Sequence, residues 1–138
     1  MKTMKISIWS DVRCPFCYIG KHKFEKALEQ FPHKDQIEVV WKSFELDPGL
    51  QTNPRVNTLD HLAENKGISR DQAEQMTQYA TQAAKEAGLE LHFNKAVVAN
   101  SFNAHRLIQL AKTKGLGSEA EEALFKAHFE EAFKQKYD

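Results

Sequence analysis

Several features are scarce in this chain of 138 residues, and each scarcity excludes a class of protein. Two cysteines cannot cross-link a small secreted scaffold, so a disulfide-rich fold is excluded. Nineteen basic and 19 acidic side chains leave no net charge, which removes the broad electrostatic argument for nucleic acid or an anionic membrane as a partner. No apolar run approaches the roughly 18 residues that cross a bilayer. Residues 1–11 also lack the apolar core of a signal peptide, so the expected location is cytoplasmic, where thiols stay reduced.

The apolar pattern predicts an α/β chain in two parts. The first part, residues 1–48, has the order strand, helix, strand. Its first strand alternates over Met4–Trp9, its helix runs from Pro15 to Pro32, and its second strand is the β-rich run Gln36–Phe44. Two strands joined by one helix form a βαβ unit, which implies parallel pairing and a right-handed crossover. The second part, residues 49–138, is predicted to be a helical domain.

Capping signals divide the second part into separate helices. A short helix is predicted over Thr58–Lys66, and capping boxes begin at Ser69 and at Ser118. Leu89–Phe93 alternates and is predicted to be extended, and a later helix is capped by Asn100 or Ser101. The apolar residues predicted to face the core are Phe24, Ala27, Leu28 and Phe31 in the first helix, Ala73, Met76, Ala80, Ala83, Ala84 and Ala87 after Ser69, Ala104, Leu107, Ile108 and Ala111 in the next, and Leu124, Phe125, Phe129 and Phe133 in the last.

The two cysteines are three residues apart, at the predicted junction between the first strand and the first helix. A helix N-terminus presents unsatisfied N–H groups and about half a positive charge, which favour a thiolate over a thiol. A thiolate at Cys14 can attack a disulfide, and Cys17, one turn further on, can resolve the mixed disulfide that results. Cys17 lies seven residues before Phe24, on the predicted buried face, whereas Cys14 lies at the mouth of the helix. Cys14 is therefore predicted to be the nucleophile and Cys17 the resolving thiol.

A zinc site and a pair of inert thiols are the alternative interpretations of this motif. A structural zinc ion usually needs four ligands, and only histidines remain to complete such a set. His22 lies about 140° around the helix from Cys17, and His33 lies about 20 Å further along the axis. Redox chemistry is therefore the favoured interpretation, and neither a metal nor a resident cofactor is expected.

Residues 8–20, Ile-Trp-Ser-Asp-Val-Arg-Cys-Pro-Phe-Cys-Tyr-Ile-Gly, resemble the active-site segment of DsbA-like thioredoxin-fold oxidoreductases, and more narrowly that of the FrnE-type subfamily. Residues 41–48 resemble the family's second strand and the loop after it. Residues 88–93, followed by residues 100–106, resemble a pairing found in the subfamily's helical insertion. The resemblance covers essentially the whole chain. It implies a thioredoxin-like βαβ unit with a large helical insertion domain, and thiol–disulfide exchange as the activity.

The same superfamily contains glutathione-dependent proteins, which supply a second hypothesis. Its 2-hydroxychromene-2-carboxylate isomerases and kappa-class glutathione transferases typically have serine at the position of Cys14. Cys14 therefore favours redox chemistry over isomerisation. The expected partners are protein or small thiols and disulfides, with glutathione as a candidate co-substrate.

The resemblance also implies elements that this sequence does not contain. Family members continue with a β-hairpin, a final helix and a cis-proline loop that faces the cysteines, whereas the four prolines here lie at or before position 54. A two-stranded parallel sheet would leave its edges unpaired and its faces poorly covered. The expectation is that the C-terminal hairpin and helix are missing from this chain, or that a homodimer or strand swap completes the sheet. A third hypothesis is therefore a helical interaction module with impaired catalysis.

Five further residues are candidates for the surroundings of the site. Pro15 suits a first helical turn because its missing N–H costs nothing there, and the resemblance implies that Pro15 and Phe16 tune the redox potential. Tyr18 is expected either to border the substrate cleft or to pack in the core. If the helical part closes over the cysteines, His105 and Asn100 are expected to hydrogen-bond a thiolate or a glutathione-like ligand. A histidine satisfied by backbone groups is the alternative for His105.

Overall fold

The N-terminal part of the structure, a computed structural model that describes residues 3–131, has the expected strand–helix–strand order. Strand β1 is Met4–Ser10, helix α1 is Pro15–Gln30, a short 3₁₀ turn is Lys34–Gln36, and strand β2 is Ile37–Ser43. The strands pair in parallel, from Met4 opposite Ile37 to Ser10 opposite Ser43. The predicted βαβ unit is therefore confirmed, as a small sheet of two strands among the described residues.

Four further α-helices follow the strands in the part of the chain that the structure describes. They are α2 (Thr58–Lys66), α3 (Arg70–Glu86), α4 (Phe102–Lys112) and α5 (Gly117–Lys126), and a π-helical turn, Ala127–Glu131, continues α5. The predicted bounds of α2 are confirmed, because Asn57 caps its first turn and Gly67 ends it at a φ of 64°. The capping box of Ser69 with Gln72 is also present, so α3 begins where the sequence predicts.

One local prediction, the capping box at Ser118, is wrong, and tertiary contacts explain it. No side chain caps α5: Ser118 Oγ lies 3.5 Å from Glu25 Oε1, and Glu121 is buried in the protein. In the segment 89–93, Leu89 and Leu91 are buried and Glu90 between them is exposed, so the predicted alternation is present, without pairing to β1 or β2. The N–H of His92 donates to the Phe129 carbonyl at 2.8 Å, and the extended backbone of this segment stays a prediction.

The hydrophobic core lies between the N-terminal half of α1 and the later helices. Tyr18 is at its centre, stacked on Phe125 with ring centroids 4.8 Å apart and planes 9° apart. The predicted core positions Phe125 and Phe129 are confirmed, and Phe133 lies outside the described residues. The other fully buried members of this cluster are Val12, Ile19, Ala80, Ala84, Leu89, Leu91 and Ile108. Both predicted parts of the chain contribute to this core, and the division at residue 48 stays a prediction.

Some residues predicted to face the core are exposed instead, namely Ala27, Phe31, Met76 and Leu107. In α4 the buried face is rotated by about one residue, so that His105 and Ile108 point inward and Leu107 does not. Contacts with two other parts of the chain cause this shift, because α4 packs against α5 and also against the turn that precedes Cys14. None of the helices described in residues 3–131 is long and apolar enough to span a membrane.

Candidate active site

Both cysteines lie in the first turn of α1. Cys14 is the N-cap residue, with an extended backbone at φ −92° and ψ 115°, and Pro15 occupies the first turn, where a missing N–H costs nothing. The carbonyl of Cys14 accepts the N–H of Cys17 at 3.1 Å and that of Tyr18 at 3.3 Å. Both thiols are free and half-buried. The Cys14-Pro15-Phe16-Cys17 segment therefore presents a dithiol at the N-terminus of a helix.

The two thiols share a proton. The Cys14 thiol donates to the sulfur of Cys17, which lowers the pKa of Cys17 to about 6 although burial opposes the shift. The N–H of Asp11 and the hydroxyl of Ser10 lower the pKa of Cys17 further. The same thiol–thiol hydrogen bond raises the pKa of Cys14, and burial and the charge of Cys17 add to that rise. Near neutral pH the pair therefore holds one proton and one negative charge.

The pKa of Cys17 is lowered and that of Cys14 is raised, whereas the sequence predicts Cys14 as the nucleophile. The first turn also favours a thiolate at Cys14, because the N–H groups of Cys17 and Phe16 lower the pKa of that thiol. Transfer of the shared proton to Cys17 would move the charge to Cys14. The assignment of the two roles stays a prediction.

Asp11 flanks the cysteines in the sequence and organises the turn before them, a role that the sequence pattern does not predict. It is 1% exposed, and its Oδ2 accepts the N–H of Leu46 at 2.8 Å. Its Oδ1 accepts Nε2 of His105 at 3.1 Å and the N–H of Arg13 at 3.4 Å. Burial alone would raise the pKa of Asp11, but these hydrogen bonds, together with one from Ser101, lower it. Asp11 is therefore a buried carboxylate next to the dithiol.

Further charged groups are buried on the α5 side of the cysteines. Burial raises the pKa of the Glu121 carboxyl, against the hydroxyl of Ser10 and the charge of Lys21. Lys21 is 2% exposed and its Nζ lies 2.7 Å from Glu25 Oε1 and 3.6 Å from Glu122 Oε2. Glu122 also hydrogen-bonds His22, which links α5 to α1. These contacts hold α5 against the helix that carries both cysteines.

His128 completes the surroundings of the turn from the other end of the chain. Burial and the charge of Arg13 lower the pKa of His128 to about 4, so it is neutral at physiological pH. Among residues 3–131, no group of three or more histidines, cysteines, aspartates and glutamates is arranged to bind a metal ion.

The five other candidate residues have different surroundings. Phe16 is 48% exposed beside Cys14, and its ring lies 6.2 Å from that of Tyr79. Tyr18 is buried in the core, which agrees with the packing alternative and not with a cleft border. The amide of Asn100 donates to the carbonyls of Leu50 at 2.8 Å and Pro48 at 3.2 Å.

Asn100 and His105 are therefore engaged with protein atoms. The Asn100 Oδ1 accepts the N–H of Phe102, whereas the N-cap residue of α4 is Ser101, whose side chain makes no capping hydrogen bond. His105 donates to Asp11 and not to a backbone group, and its Nδ1 is buried without a hydrogen-bond partner among the described residues. Their predicted role in binding glutathione stays a prediction.

The family profile of the DSBA-like thioredoxin domain matches residues 5–136, which include the cysteine turn and the five α-helices of the described residues. The chain belongs to this family. The mixed α/β, DsbA-like thioredoxin fold predicted from the sequence is confirmed, whereas the FrnE-type subfamily and the missing C-terminal elements stay predictions.

Two related proteins give the scale of the similarity. The crystal structure of a probable DsbA oxidoreductase from Streptomyces coelicolor superposes with a TM-score of 0.83 at 38% identity, covering 91% of this chain and 54% of that one. The uncharacterized protein YwbO of Bacillus subtilis (strain 168) is 32% identical over 131 residues, covering 94% of this chain and 58% of that protein. This DsbA-like chain therefore spans somewhat more than half the length of the relatives it matches.

Proposed function

We propose that this chain carries the dithiol centre of a thiol–disulfide oxidoreductase, with Cys14 as the nucleophile and Cys17 as the resolving thiol. The observation that carries the proposal is the pair of free cysteines in the first turn of α1, one of which has its pKa lowered to about 6. A thiolate is the attacking species in thiol–disulfide exchange, so a thiolate present at neutral pH supports this chemistry. Membership in the DsbA-like family and the similarity to a probable DsbA oxidoreductase support it as well.

Two displacement steps transfer two electrons from the cysteines to a substrate disulfide. The Cys14 thiolate attacks one substrate sulfur, the substrate S–S bond breaks, and a mixed disulfide forms while one substrate thiolate leaves. The proton held between the cysteines is lost to solvent, and the Cys17 thiolate attacks the sulfur of Cys14. The Cys14–Cys17 disulfide forms and the second substrate sulfur leaves as a thiolate. The same steps in reverse oxidise a dithiol substrate.

The surface beside the cysteines favours substrates with an apolar side chain. Phe16 is exposed next to Cys14, and its ring contacts Tyr79, which is 71% exposed. Exposed aromatic side chains supply large contact areas at low entropic cost, as binding surfaces often do. We therefore include proteins with cysteines near apolar residues among the substrates, beside small thiols such as glutathione. The cytoplasm, expected from the sequence, is the proposed location.

The first test is exchange with a peptide that contains one disulfide, using the parent chain and two serine variants. The parent chain should reduce the peptide, and Cys14→Ser should abolish exchange because the attacking sulfur is gone. Cys17→Ser should stop after the first step and accumulate a mixed disulfide, which mass spectrometry detects as a peptide-sized mass increase. Accumulation in Cys14→Ser instead would reverse the two roles. A parent chain without exchange would contradict the proposed function and favour a non-catalytic interaction module.

The second test is the pH dependence of alkylation by iodoacetamide. The rate should rise as the pH passes through about 6 and then level off, because the reacting thiolate has formed by then. Cys14→Ala should move this midpoint towards the ordinary value of 9.0, since the S–H donor to Cys17 is lost. Cys14→Ser is the matched control: its hydroxyl still donates, so its midpoint should lie between the two. A parent chain that titrates near 9.0 would contradict an activated dithiol.

A further inference from the structure

The backbone of Asp11 contacts both cysteines. Its carbonyl accepts the N–H of Cys14 at 3.0 Å, and its own N–H points to the sulfur of Cys17 and lowers the pKa of that thiol. The position of this one peptide segment therefore affects the geometry of the first turn and the hydrogen bonding of a sulfur. Whatever holds the side chain of Asp11 in place also holds this segment.

Besides the hydroxyl of Ser101, three groups from separate places donate to the Asp11 carboxylate. The N–H of Arg13 comes from the same turn, and the N–H of Leu46 comes from the segment after β2. The third donor is Nε2 of His105, in α4 and 94 residues away along the chain. An ionised carboxylate only accepts hydrogen bonds, so His105 is the donor in this contact.

The Asp11–His105 contact is shielded from solvent. Asp11 is 1% exposed and His105 is 6% exposed, so water cannot readily replace the imidazole if it is removed. A buried carboxylate that loses a donor is left under-solvated, which costs more than the loss of an exposed hydrogen bond. The carboxylate would then shift or repel a nearby thiolate more strongly.

We propose that His105 is a positioning residue for the dithiol, acting through the side chain of Asp11 and not by contact with substrate. This role rests on the proposed thiol–disulfide function. It makes the helical part of the chain a determinant of cysteine reactivity, because α4 supplies the donor. The other titratable groups around the cysteine turn are Arg13, Lys21, Glu121 and His128, and all of them stay unchanged in the variants below.

The test compares the thiolate titrations of His105→Leu and His105→Gln, followed by ultraviolet absorbance. His105→Leu removes the donor and keeps an apolar side chain of similar bulk, so the midpoint should rise by about one unit, a tenfold change in thiolate equilibrium. His105→Gln keeps an N–H donor near the position of Nε2, so its midpoint should return most of the way to that of the parent. His61→Leu is the matched control, since it removes a half-buried histidine of α2 and should leave the midpoint unchanged.

A double variant decides whether His105 acts through Asp11. The His105→Leu effect on the midpoint should largely disappear in an Asp11→Ala background, because the acceptor is already gone. An effect that persists there would overturn the proposal. So would a folded His105→Leu with the titration of the parent, because His105 would then be only structural.

A variant that does not fold and a failure of the proposed function itself can both be recognised. If His105→Leu does not fold, His105→Asn replaces it: its amide is too short to reach Asp11, so its midpoint should rise while that of His105→Gln should not. Equal midpoints for these two variants would overturn the role of His105. Failure of the proposed function is seen in the parent chain itself, as a titration near 9.0 without disulfide exchange, before any histidine variant is compared.

Discussion

The surroundings of the two cysteines (the cysteine end) and the exposed side of strands β1 and β2 (the strand side) differ in which kinds of side chain are buried. Around the cysteines, polar side chains are buried and paired, as for Asp11 with His105 and Lys21 with Glu25. On the strand side, large apolar side chains such as Phe44 are exposed. Ser10, next to the cysteines, is the one buried residue in β1 and β2.

This difference shows which part of the described structure forms a closed hydrophobic core by itself. Parallel strands are normally covered on both faces, and these are not. The helices build a closed core under the cysteines without help from the outer side of the sheet. Association of two chains through this side, or completion by further elements, stays a prediction.

The largest test of this comparison replaces one phenylalanine on each side with alanine. Phe125 is 0% exposed and stacks on Tyr18, so Phe125→Ala should lower the free energy of unfolding by about 3–5 kcal/mol. Phe44 is 52% exposed, so Phe44→Ala should lower it by less than about 1 kcal/mol. Urea denaturation of the two variants measures both values. Equal losses of unfolding free energy in the two variants would contradict the difference between the two regions, because Phe44 would then be covered in solution.

A pair of lysines gives the next largest effect. Lys21→Met removes the buried cation that faces Glu25 and Glu122, so it should cost about 2 kcal/mol of unfolding free energy. Lys42→Met removes an exposed cation that lies 5.1 Å from the centre of the Trp9 ring, so it should cost less than about 0.5 kcal/mol.

Thermal or urea unfolding at neutral pH measures the two lysine variants. Stability that is unchanged in Lys21→Met would mean that the ion pairs of α1 with α5 do not hold the cysteine end together. A large loss in Lys42→Met would instead place a buried contact on the strand side.

The smallest effect comes from two serines with the same local sequence signal. Ser69→Ala removes a formed capping box and should cost about 1 kcal/mol. Ser118→Ala removes no cap and only a 3.5 Å contact with Glu25, so its cost should stay below about 0.5 kcal/mol. Urea denaturation measures both. A cost at Ser118 equal to that at Ser69 would show that Ser118 does cap α5 in solution.

Local signals in the sequence were accurate where nothing distant competes with them. The bounds of α2, the capping box at Ser69 and the parallel βαβ unit follow from contacts between neighbouring residues or from chain connectivity. The prediction failed at Ser118, because a contact with α1 decides the structure there.

The candidate site shows the same division. The spacing of Cys14 and Cys17 at a helix start is visible in the sequence, and so is the apolar character of Phe125 and Phe129. Asp11 could have been noticed as a carboxylate three residues before the first cysteine, but no local pattern indicates that it is buried.

By itself, the sequence determined the order of the elements, the dithiol at the start of α1 and the membership of a known family. Only the tertiary structure decided that Tyr18 packs in the core, that the amide of Asn100 bonds to the Leu50 carbonyl, and that His105 donates to Asp11. The physical reason is the distance along the chain over which the contacts act. The start of a helix depends on a few adjacent residues, whereas burial of the Asp11 carboxylate depends on a partner 94 residues away that folding brings close.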